Sequence, residues 1–316
     1  MWYGALTVLI MLTTKKSISG HVGLLQILNG LFRLMRPKHW AKNLFIFLPL
    51  FFSGNMLELD LILNAAVIFV SFCLAASAVY ILNDWQDIER DKEHPTKKNR
   101  PLASGIVKLW QALVLGILLI LSAFIIAILV VDKPWATFIL GYYVIQNILY
   151  SFKLKHYAIV DVTIIAVGFV LRIIIGGIVT EIELSQWIII LTFLLSMFLA
   201  LSKRRDDMIV LKHTKTKLRK SLDGYDLRFI DTSMGICAVI VVIAYLMYTL
   251  SPEIVERYGE YTYVTTFFVF LGILQYLKLT QVMENSSSPT KLLFGNFFLQ
   301  LIILGWILCY VVLIYF

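Results

Sequence analysis

The sequence predicts an all-α, polytopic membrane protein with about nine transmembrane helices around a central cavity. Of its 316 residues, 59% are hydrophobic and 15% are charged, whereas a soluble domain carries about 25% charged residues. Several apolar runs exceed the roughly 18 residues that suffice to cross a bilayer. Soluble folds are therefore excluded, and we expect a single transmembrane domain over residues 1–316.

The chain begins with an apolar and interfacial segment, residues 1–35. Residues 2–12 are apolar and precede Lys15 and Lys16. Because no basic leader or small-residue cleavage site accompanies them, we predict no signal peptide. The amphipathic pattern of residues 23–35 predicts a helix at the membrane surface.

Nine apolar segments follow the basic stretch RPKHWAKN, residues 36–43. The predicted spans are 43–57, 61–82, 106–131, 134–152, 158–180, 185–202, 231–250, 261–279 and 291–316. The polar connections expected to carry the functional site are 83–105, 151–157 and 203–230.

The lysines and arginines predict the topology. Of the 28, 25 lie in the N-terminal segment and the connections after even-numbered spans, against Lys133 and Arg257 in the opposite loops. The positive-inside rule places the richer side in the cytoplasm. We therefore expect a multi-pass protein of the cell inner (plasma) membrane, with its site facing the cytoplasm and its C-terminus outside.

An acidic motif follows the second span. On a helix, Asp84, Asp87 and Asp91 are spaced i, i+3 and i+7, and Asn83 lies four residues before Asp87, so their oxygens share one face. Clustered carboxylates repel one another unless a cation lies between them, and hard oxygen ligands suit Mg²⁺ shared with a phosphate. The alternative is an ordinary solvated loop. The register and the membrane boundary favour a Mg²⁺–diphosphate site at the mouth of a cavity.

Positive charges follow this motif and recur at the next connection. Lys97 and Arg100 lie just beyond it, and Lys155 follows Tyr150 in the sequence YSFKLK. Asp161 lies at the start of a span, where a carboxylate costs energy unless it is paired or hydrated. We expect a Lys155–Asp161 ion pair or a second cation site.

Two further groups of cations lie in or beside predicted spans. Arg172 is mid-span in GFVLRIIIGG, where an arginine costs about 2.5–3.5 kcal/mol on insertion scales. It predicts an internal polar cavity, or else a buried arginine paired with a carboxylate for packing alone. Lys203 and Arg204 end the sixth span and suit phosphate contacts, or else anchor the span. No zinc motif or Ser/His/Asp pattern accompanies the five histidines, so chemistry is expected to use metal, carboxylates and cations.

Four stretches carry a resemblance to a known family. NDWQDIERDKEHPTKKNRPLASG, YSFKLKHYAIVD, GFVLRIIIGG and RPKHWAKN resemble the UbiA superfamily of intramembrane prenyltransferases and, within it, the branch of decaprenyl-phosphate phosphoribosyltransferases. The resemblance covers residues 33–210 well and the last three spans weakly. It implies a UbiA-like bundle that moves 5-phosphoribose from 5-phosphoribosyl 1-diphosphate onto a polyprenyl phosphate in cell envelope biosynthesis, with Mg²⁺, releasing diphosphate.

Given this reaction, the expected site residues fall into two groups. The expected catalytic residues are Asp84, Asp87 and Asp91, which with Asn83 would hold Mg²⁺. The expected substrate-binding residues are Lys38, Lys42, Lys97, Arg100, Tyr150, Lys155, Asp161, Arg172, Lys203 and Arg204. Candidates for contacting the donor's second phosphate, because topology places them on the metal side, are Lys38, Lys42, Lys203 and Arg204.

Two other functions stay open at this point. A UbiA-type prenyltransferase would move a prenyl group from prenyl diphosphate to an aromatic or lipid acceptor with the same carboxylates. An anion transporter would use Arg172 as its binding residue, and paired broken spans would support it. The expected partners are the two substrates and membrane lipid, with no nucleic acid.

Overall fold

The computed structural model describes residues 23–93, 97–214, 220–282, 292 and 295–315, and within them all regular structure is helical. The predicted apolar start, residues 2–12, lies outside the described residues. The α-helices are α1 (Leu24–Leu34), α2 (Leu48–Ser53), α3 (Leu59–Gln86), α4 (Ile88–Glu93), α5 (Leu109–Ile126), α6 (Pro134–Phe152), α7 (Val160–Thr180), α8 (Gln186–Thr214), α9 (Leu227–Thr249), α10 (Pro252–Tyr258), α11 (Thr265–Leu277) and α12 (Phe297–Tyr315). Short 3-10 and π segments extend several of them, and the longest 3-10 helix, Pro37–Phe47, leads directly into α2.

Helical segments lie near every predicted span, but they differ in length and hydropathy. Those long and apolar enough to cross a membrane, among the described residues, are Leu59–Gln86, Leu109–Val131, Val160–Thr180, Gln186–Lys212, Leu227–Thr249 and Glu260–Val282. A shorter apolar helix covers Phe297–Leu313. The all-helical, multi-pass architecture is confirmed, whereas the count of nine spans stays a prediction.

Three predicted boundaries are wrong. The first segment begins at Pro37 as a 3-10 helix and ends at Ser53, rather than covering 43–57. α8 continues to Thr214, so Lys203 and its neighbours lie on a helix and not in a loop. No proline or glycine interrupts this stretch, and an Arg204–Asp207 ion pair with i, i+3 spacing supports it.

The helices surround two apolar cores. One joins the first segment, α3, α5, α6 and α7, and the other joins α7, α8, α9, α11 and α12. The first segment lies very close to α7, since a Cβ atom at Gly176 would collide with the Ile46 carbonyl. A long cavity lies between the two halves, with α7 contributing to both cores.

The outer faces of the helices fit a lipid environment. Leu118, Leu121 and Ile125 of α5 are exposed, as are Val239 and Ile243 of α9. Large apolar side chains exposed in rows on a long apolar helix are typical of surfaces that face lipid. The amphipathic helix predicted over 23–35 is α1, which buries Leu34 and leaves its other apolar face open.

The topology can be tested by cysteine labelling. In a variant whose three natural cysteines are replaced by serine, we expect Glu256→Cys to react with an impermeant maleimide added outside intact cells. We expect Lys153→Cys to react only after the membrane is opened, because the positive-inside rule places it in the cytoplasm. Both residues are exposed in the structure, so the reverse labelling pattern would rule out this orientation.

Candidate active site

A cavity of about 1320 Å³ runs through the bundle between its two halves. One end is lined by charged side chains from the connections after α3 and α6 and from the start of the first segment. The other end is lined mainly by apolar and aromatic side chains, including Phe52, Tyr248 and Trp306, with Glu183 and Arg257 beside them. The arrangement allows a polar group and an apolar chain to enter the same space from different ends.

The acidic motif lines the charged end, but not on one continuous helix. α3 ends at Gln86, Asp87 follows it outside helical geometry, and α4 begins at Ile88. Asn83, Asp84, Asp87 and Asp91 nevertheless all line the cavity. The four side chains therefore face one cavity, as expected, although the chain is not helical at Asp87.

Each acidic side chain has a basic partner. Asp84 is 3% exposed and accepts hydrogen bonds from Arg36 and, at 3.0 Å, from Arg100. The same Arg100 nitrogen lies 2.7 Å from Asp91, so these two carboxylates are neighbours. Lys155 lies 3.1 Å from Asp87.

Asn83 is held by a neighbouring helix. The single proton of the Ser151 hydroxyl, on α6, is shared between the Asn83 side-chain oxygen and the Asn147 carbonyl, each 2.7 Å from Oγ. Ser151 is fully buried, so it fixes Asn83 relative to α6. The ends of α3 and α6 are thereby held together at the cavity mouth.

The side chains of the acidic motif are of the types that bind Mg²⁺, but they are not clustered around a single point. Carboxylate and amide oxygens are the ligands Mg²⁺ takes, usually with substrate phosphate and water completing the shell. Within the described part of the chain, no three acidic, histidine or cysteine side chains are grouped closely enough to hold a metal by themselves. Arg36, Arg100 and Lys155 hold the carboxylates instead, so a metal would have to take over those contacts.

The 3-10 winding of Pro37–Phe47 sets out a row of side chains along the cavity. In a 3-10 helix the side chains at i and i+3 lie one above the other. Arg36, His39, Lys42 and Phe45 share this spacing, and all four line the cavity. The row changes from basic to aromatic as it goes inwards.

The opposite side of the same 3-10 helix packs against α3. Trp40 donates a hydrogen bond to Ser77 at 3.1 Å, and the Asn43 amide contacts the Cys73 sulfur at 3.0 Å. Asn43 and Ile46 are buried. These contacts fix the rotation of the segment, and so they fix which side chains face the cavity.

His39 lies among these cations, and its Nδ1 atom is buried without a hydrogen-bond partner among the described residues. The ring lies edge-on to Tyr80, with centroids 5.2 Å apart. His39 is therefore positioned to hydrogen-bond to a ligand in the cavity.

Arg172 lies deeper, on α7, and is 5% exposed. Its Nε atom donates to the Asn43 side-chain oxygen at 2.8 Å, and its other nitrogens donate to the Gly168 carbonyl and, at 3.3 Å, to the Tyr143 hydroxyl. Its guanidinium carbon is 4.8 Å from the centre of the Phe72 ring. Among the described residues no carboxylate pairs with it, so packing as an ion pair does not explain it.

Two expected substrate ligands lie away from the cavity. Arg204 is fully buried and lies 2.6 Å from Asp161 and 2.8 Å from Asp207. Asp161 also accepts hydrogen bonds from Ser221 at 3.0 Å and Tyr225 at 2.8 Å. The expected Lys155–Asp161 pair is therefore wrong, and we no longer propose Arg204 or Asp161 as contacts for substrate.

The remaining expected ligands do line the cavity. They are Lys38, Lys42, Lys97, Arg100, Tyr150, Lys155, Arg172 and Lys203. The basic start of the first segment, the connections after α3 and α6, and helices α7 and α8 thus meet at one cavity.

Sequence reasoning missed Arg36, Asn43 and Tyr143 as members of the site. Arg36 has a left-handed backbone, φ 52°, which is uncommon for a residue other than glycine, and its guanidinium lies 4.9 Å from the Tyr80 ring centre. Its place directly before Pro37 in RPKHWAKN was the available signal. The partners of Arg172 had none, since they come from distant helices.

Comparison with known sequences gives consistent matches. The model of the UbiA prenyltransferase family matches residues 44–302. Decaprenyl-phosphate phosphoribosyltransferase from Corynebacterium glutamicum is 31% identical over 292 residues, covering 91% of this chain and 87% of that protein. The enzyme of the same name from Mycolicibacterium smegmatis is 34% identical over 235 residues, covering 72% of each chain.

Comparison with solved structures supports the same fold. A UbiA homologue from Archaeoglobus fulgidus, bound to DMAPP and Mg²⁺, superposes with a TM-score of 0.67 at 18% identity. The match covers 90% of this chain and 98% of the homologue. At that identity the likeness concerns the fold alone.

Proposed function

Because this chain belongs to the UbiA prenyltransferase family, we propose that it transfers 5-phosphoribose from 5-phosphoribosyl 1-diphosphate to a polyprenyl phosphate, with Mg²⁺ and release of diphosphate. The chain is an enzyme of the decaprenyl-phosphate phosphoribosyltransferase type, as its relatives' names indicate. The observation that carries the proposal is the cavity itself. Its charged end suits a phosphorylated sugar, and its apolar end suits an isoprenoid chain.

The supply of cations favours a donor with two charged groups. A prenyl diphosphate presents only its diphosphate, whereas 5-phosphoribosyl 1-diphosphate also presents a 5-phosphate across the ribose. Besides Arg36, Arg100 and Lys155, the lysines Lys38, Lys97 and Lys203 line the charged end. Lysine and arginine give phosphate its strongest hydrogen bonds, so these three are the proposed ligands of the 5-phosphate.

The reaction needs no protein nucleophile. An oxygen of the lipid phosphate forms a bond to C1 of the ribose, while the bond from C1 to the diphosphate breaks and the diphosphate leaves with the electron pair. The attacking phosphate is already an anion, so a strong base is not required. The protein's part is to orient the two substrates and stabilise charge on the leaving group.

Asn83, Asp84, Asp87 and Asp91 are the proposed holders of Mg²⁺. When bound, the metal would neutralise the charge that develops on the diphosphate. Arg36 and Arg100, which contact Asp84, would then be able to turn to the diphosphate oxygens. Lys155, beside Asp87, is proposed to do the same from the next connection.

The proposed site faces the cytoplasm of a cell inner membrane. The charged end of the cavity lies at the cation-rich connections, and the positive-inside rule places those in the cytoplasm. A water-soluble donor would enter there, while the acceptor would stay in the membrane. Residues within 83–93, 97–100 and 150–156 line the mouth of the site, and α8 contributes Lys203.

The proposal is tested by incubating purified protein with labelled 5-phosphoribosyl 1-diphosphate and polyprenyl phosphate. We expect label in an organic-extractable lipid and equal release of diphosphate, both abolished by removing Mg²⁺ with a chelator. A reaction with polyprenol in place of polyprenyl phosphate is the matched control and should give no labelled lipid. Consumption of a prenyl diphosphate, with no use of the phosphoribosyl donor, would contradict the proposal and leave a prenyltransferase.

A further inference from the structure

Some cations of the cavity contact a carboxylate, and others do not. Arg36, Arg100 and Lys155 at the mouth each touch a carboxylate. Deeper in the cavity, Arg172 contacts an amide, a carbonyl, a hydroxyl and aromatic rings, all without negative charge. A buried arginine without a counter-ion is costly in a membrane, so the deeper position requires an anion that the described chain does not supply.

Lys42 adds a second positive charge at this depth. It directly precedes Asn43, the residue that holds Arg172, and its side chain is open to the cavity. It makes no hydrogen bond or ion pair with other described residues.

The same place marks the change from a polar to an apolar cavity. Beyond Lys42, the next cavity-facing residues of the first segment are Phe45 and Leu48. Phe169 of α7 lies 4.9 Å from Phe45, ring centre to ring centre, and 5.4 Å from the Arg172 guanidinium carbon. An amphiphile with an anionic head and an apolar tail would place its head at such a boundary.

We propose that Arg172 and Lys42 bind the phosphate of the polyprenyl phosphate acceptor, as a subsite separate from the cations that face the phosphoribosyl donor. This assignment rests on the proposed function and revises the expectation that Lys42 contacts the donor. It gives the lipid phosphate two cations of its own, with the isoprenoid directed along Phe45 towards the apolar end. The acceptor phosphate would then lie on the inner side of the acidic motif, and the donor on its outer side.

The assignment is tested by binding, without donor or metal. The dissociation constant of polyprenyl phosphate is measured for the full-length protein in detergent, with polyprenol and inorganic phosphate as the comparison probes. Lys42→Gln should weaken polyprenyl phosphate binding about 10- to 100-fold, since one charge-assisted contact is lost. Binding of polyprenol should not change, and inorganic phosphate should compete poorly because it lacks the tail.

Two further variants complete the experiment. Lys153→Gln removes an exposed cation that does not line the cavity, and it should bind polyprenyl phosphate as the parent protein does. Arg172→Gln should weaken binding at least as much as Lys42→Gln, with thermal unfolding measured alongside because Arg172 also holds Asn43. In turnover assays, Lys42→Gln should raise the KM for polyprenyl phosphate and leave that for the phosphoribosyl donor nearly unchanged.

Several results would overturn the subsite. Equal binding of polyprenyl phosphate by the parent and Lys42→Gln would do so, as would a KM effect confined to the donor. Inorganic phosphate binding as tightly as the lipid would indicate a general phosphate site instead. Failure of the transfer reaction, with phosphate-selective lipid binding intact and sensitive to Lys42→Gln, would contradict the proposed function but support the subsite.

Discussion

Replacing Asp87 by asparagine is expected to lower turnover by at least about 100-fold, in line with the loss of a charged group that stabilises a transition state. The substitution keeps the size of the side chain and removes the charge that the proposed metal needs. Asp87 is the best choice within the motif for a clean test. Its side chain is 30% exposed and, among the described residues, forms an ion pair only with Lys155, so the folded state should tolerate its neutralisation better than that of Asp84.

Glu89→Gln provides the matched control. Glu89 lies two residues away, pairs with Lys92 on the surface and does not line the cavity. Glu89→Gln and Asp87→Asn each remove one negative charge. A general effect of charge would lower turnover in both variants, whereas a role in the site would lower turnover only in Asp87→Asn. Normal turnover and normal Mg²⁺ dependence in Asp87→Asn protein would remove this residue from the proposed metal site.

Replacing Arg204 by methionine is expected to lower the free energy of unfolding by about 3–5 kcal/mol, the usual cost of removing one partner from a buried ion pair. Arg204 and Asp161 are both fully buried. Without the guanidinium, Asp161 would keep only the hydroxyls of Ser221 and Tyr225. The variant should unfold at a lower denaturant concentration in detergent micelles. Arg204 lies away from the cavity, so molecules that stay folded should keep the cavity residues in place.

The double variant Asp161→Asn with Arg204→Met separates the ion pair from the rest of the packing. Because Asp161 is then neutral and Asp207, the other partner of Arg204, is partly exposed, no fully buried charge is left uncompensated, and the double variant should recover much of the lost stability. Lys133→Met is the control, since it breaks the exposed Lys133–Glu181 pair, and such pairs contribute less than about 1 kcal/mol. A loss below about 1 kcal/mol in Arg204→Met protein would show that this network is not structurally important.

The sequence is most informative where chemistry and topology coincide. The acidic motif, Lys155 and the basic stretch before the first span were all expected at one membrane face, and they do line one cavity. Periodicity and the distribution of lysine and arginine suffice for that, because both follow from the bilayer. The ion-pair partner of each charged residue does not follow from such patterns.

Lys155 and Asp161 show why pairing could not be predicted. They lie six residues apart, yet Lys155 forms an ion pair with Asp87, directly after α3, and Asp161 forms one with Arg204 on α8. Both choices depend on helix packing between residues far apart in the chain. Local pattern likewise could not predict the 3-10 winding at Pro37–Phe47, which is held by contacts with α3 and α7.

Winding as a 3-10 helix also changes how far the first segment reaches. The 11 residues of Pro37–Phe47 rise about 22 Å at about 2.0 Å each, and the six of α2 add about 9 Å. The total of about 31 Å matches the hydrocarbon thickness of about 30 Å, whereas one α-helix of the same residues would extend only about 26 Å. For this predicted first span, rewinding the residues as an α-helix would shorten it by about 5 Å and draw its basic start below the membrane surface.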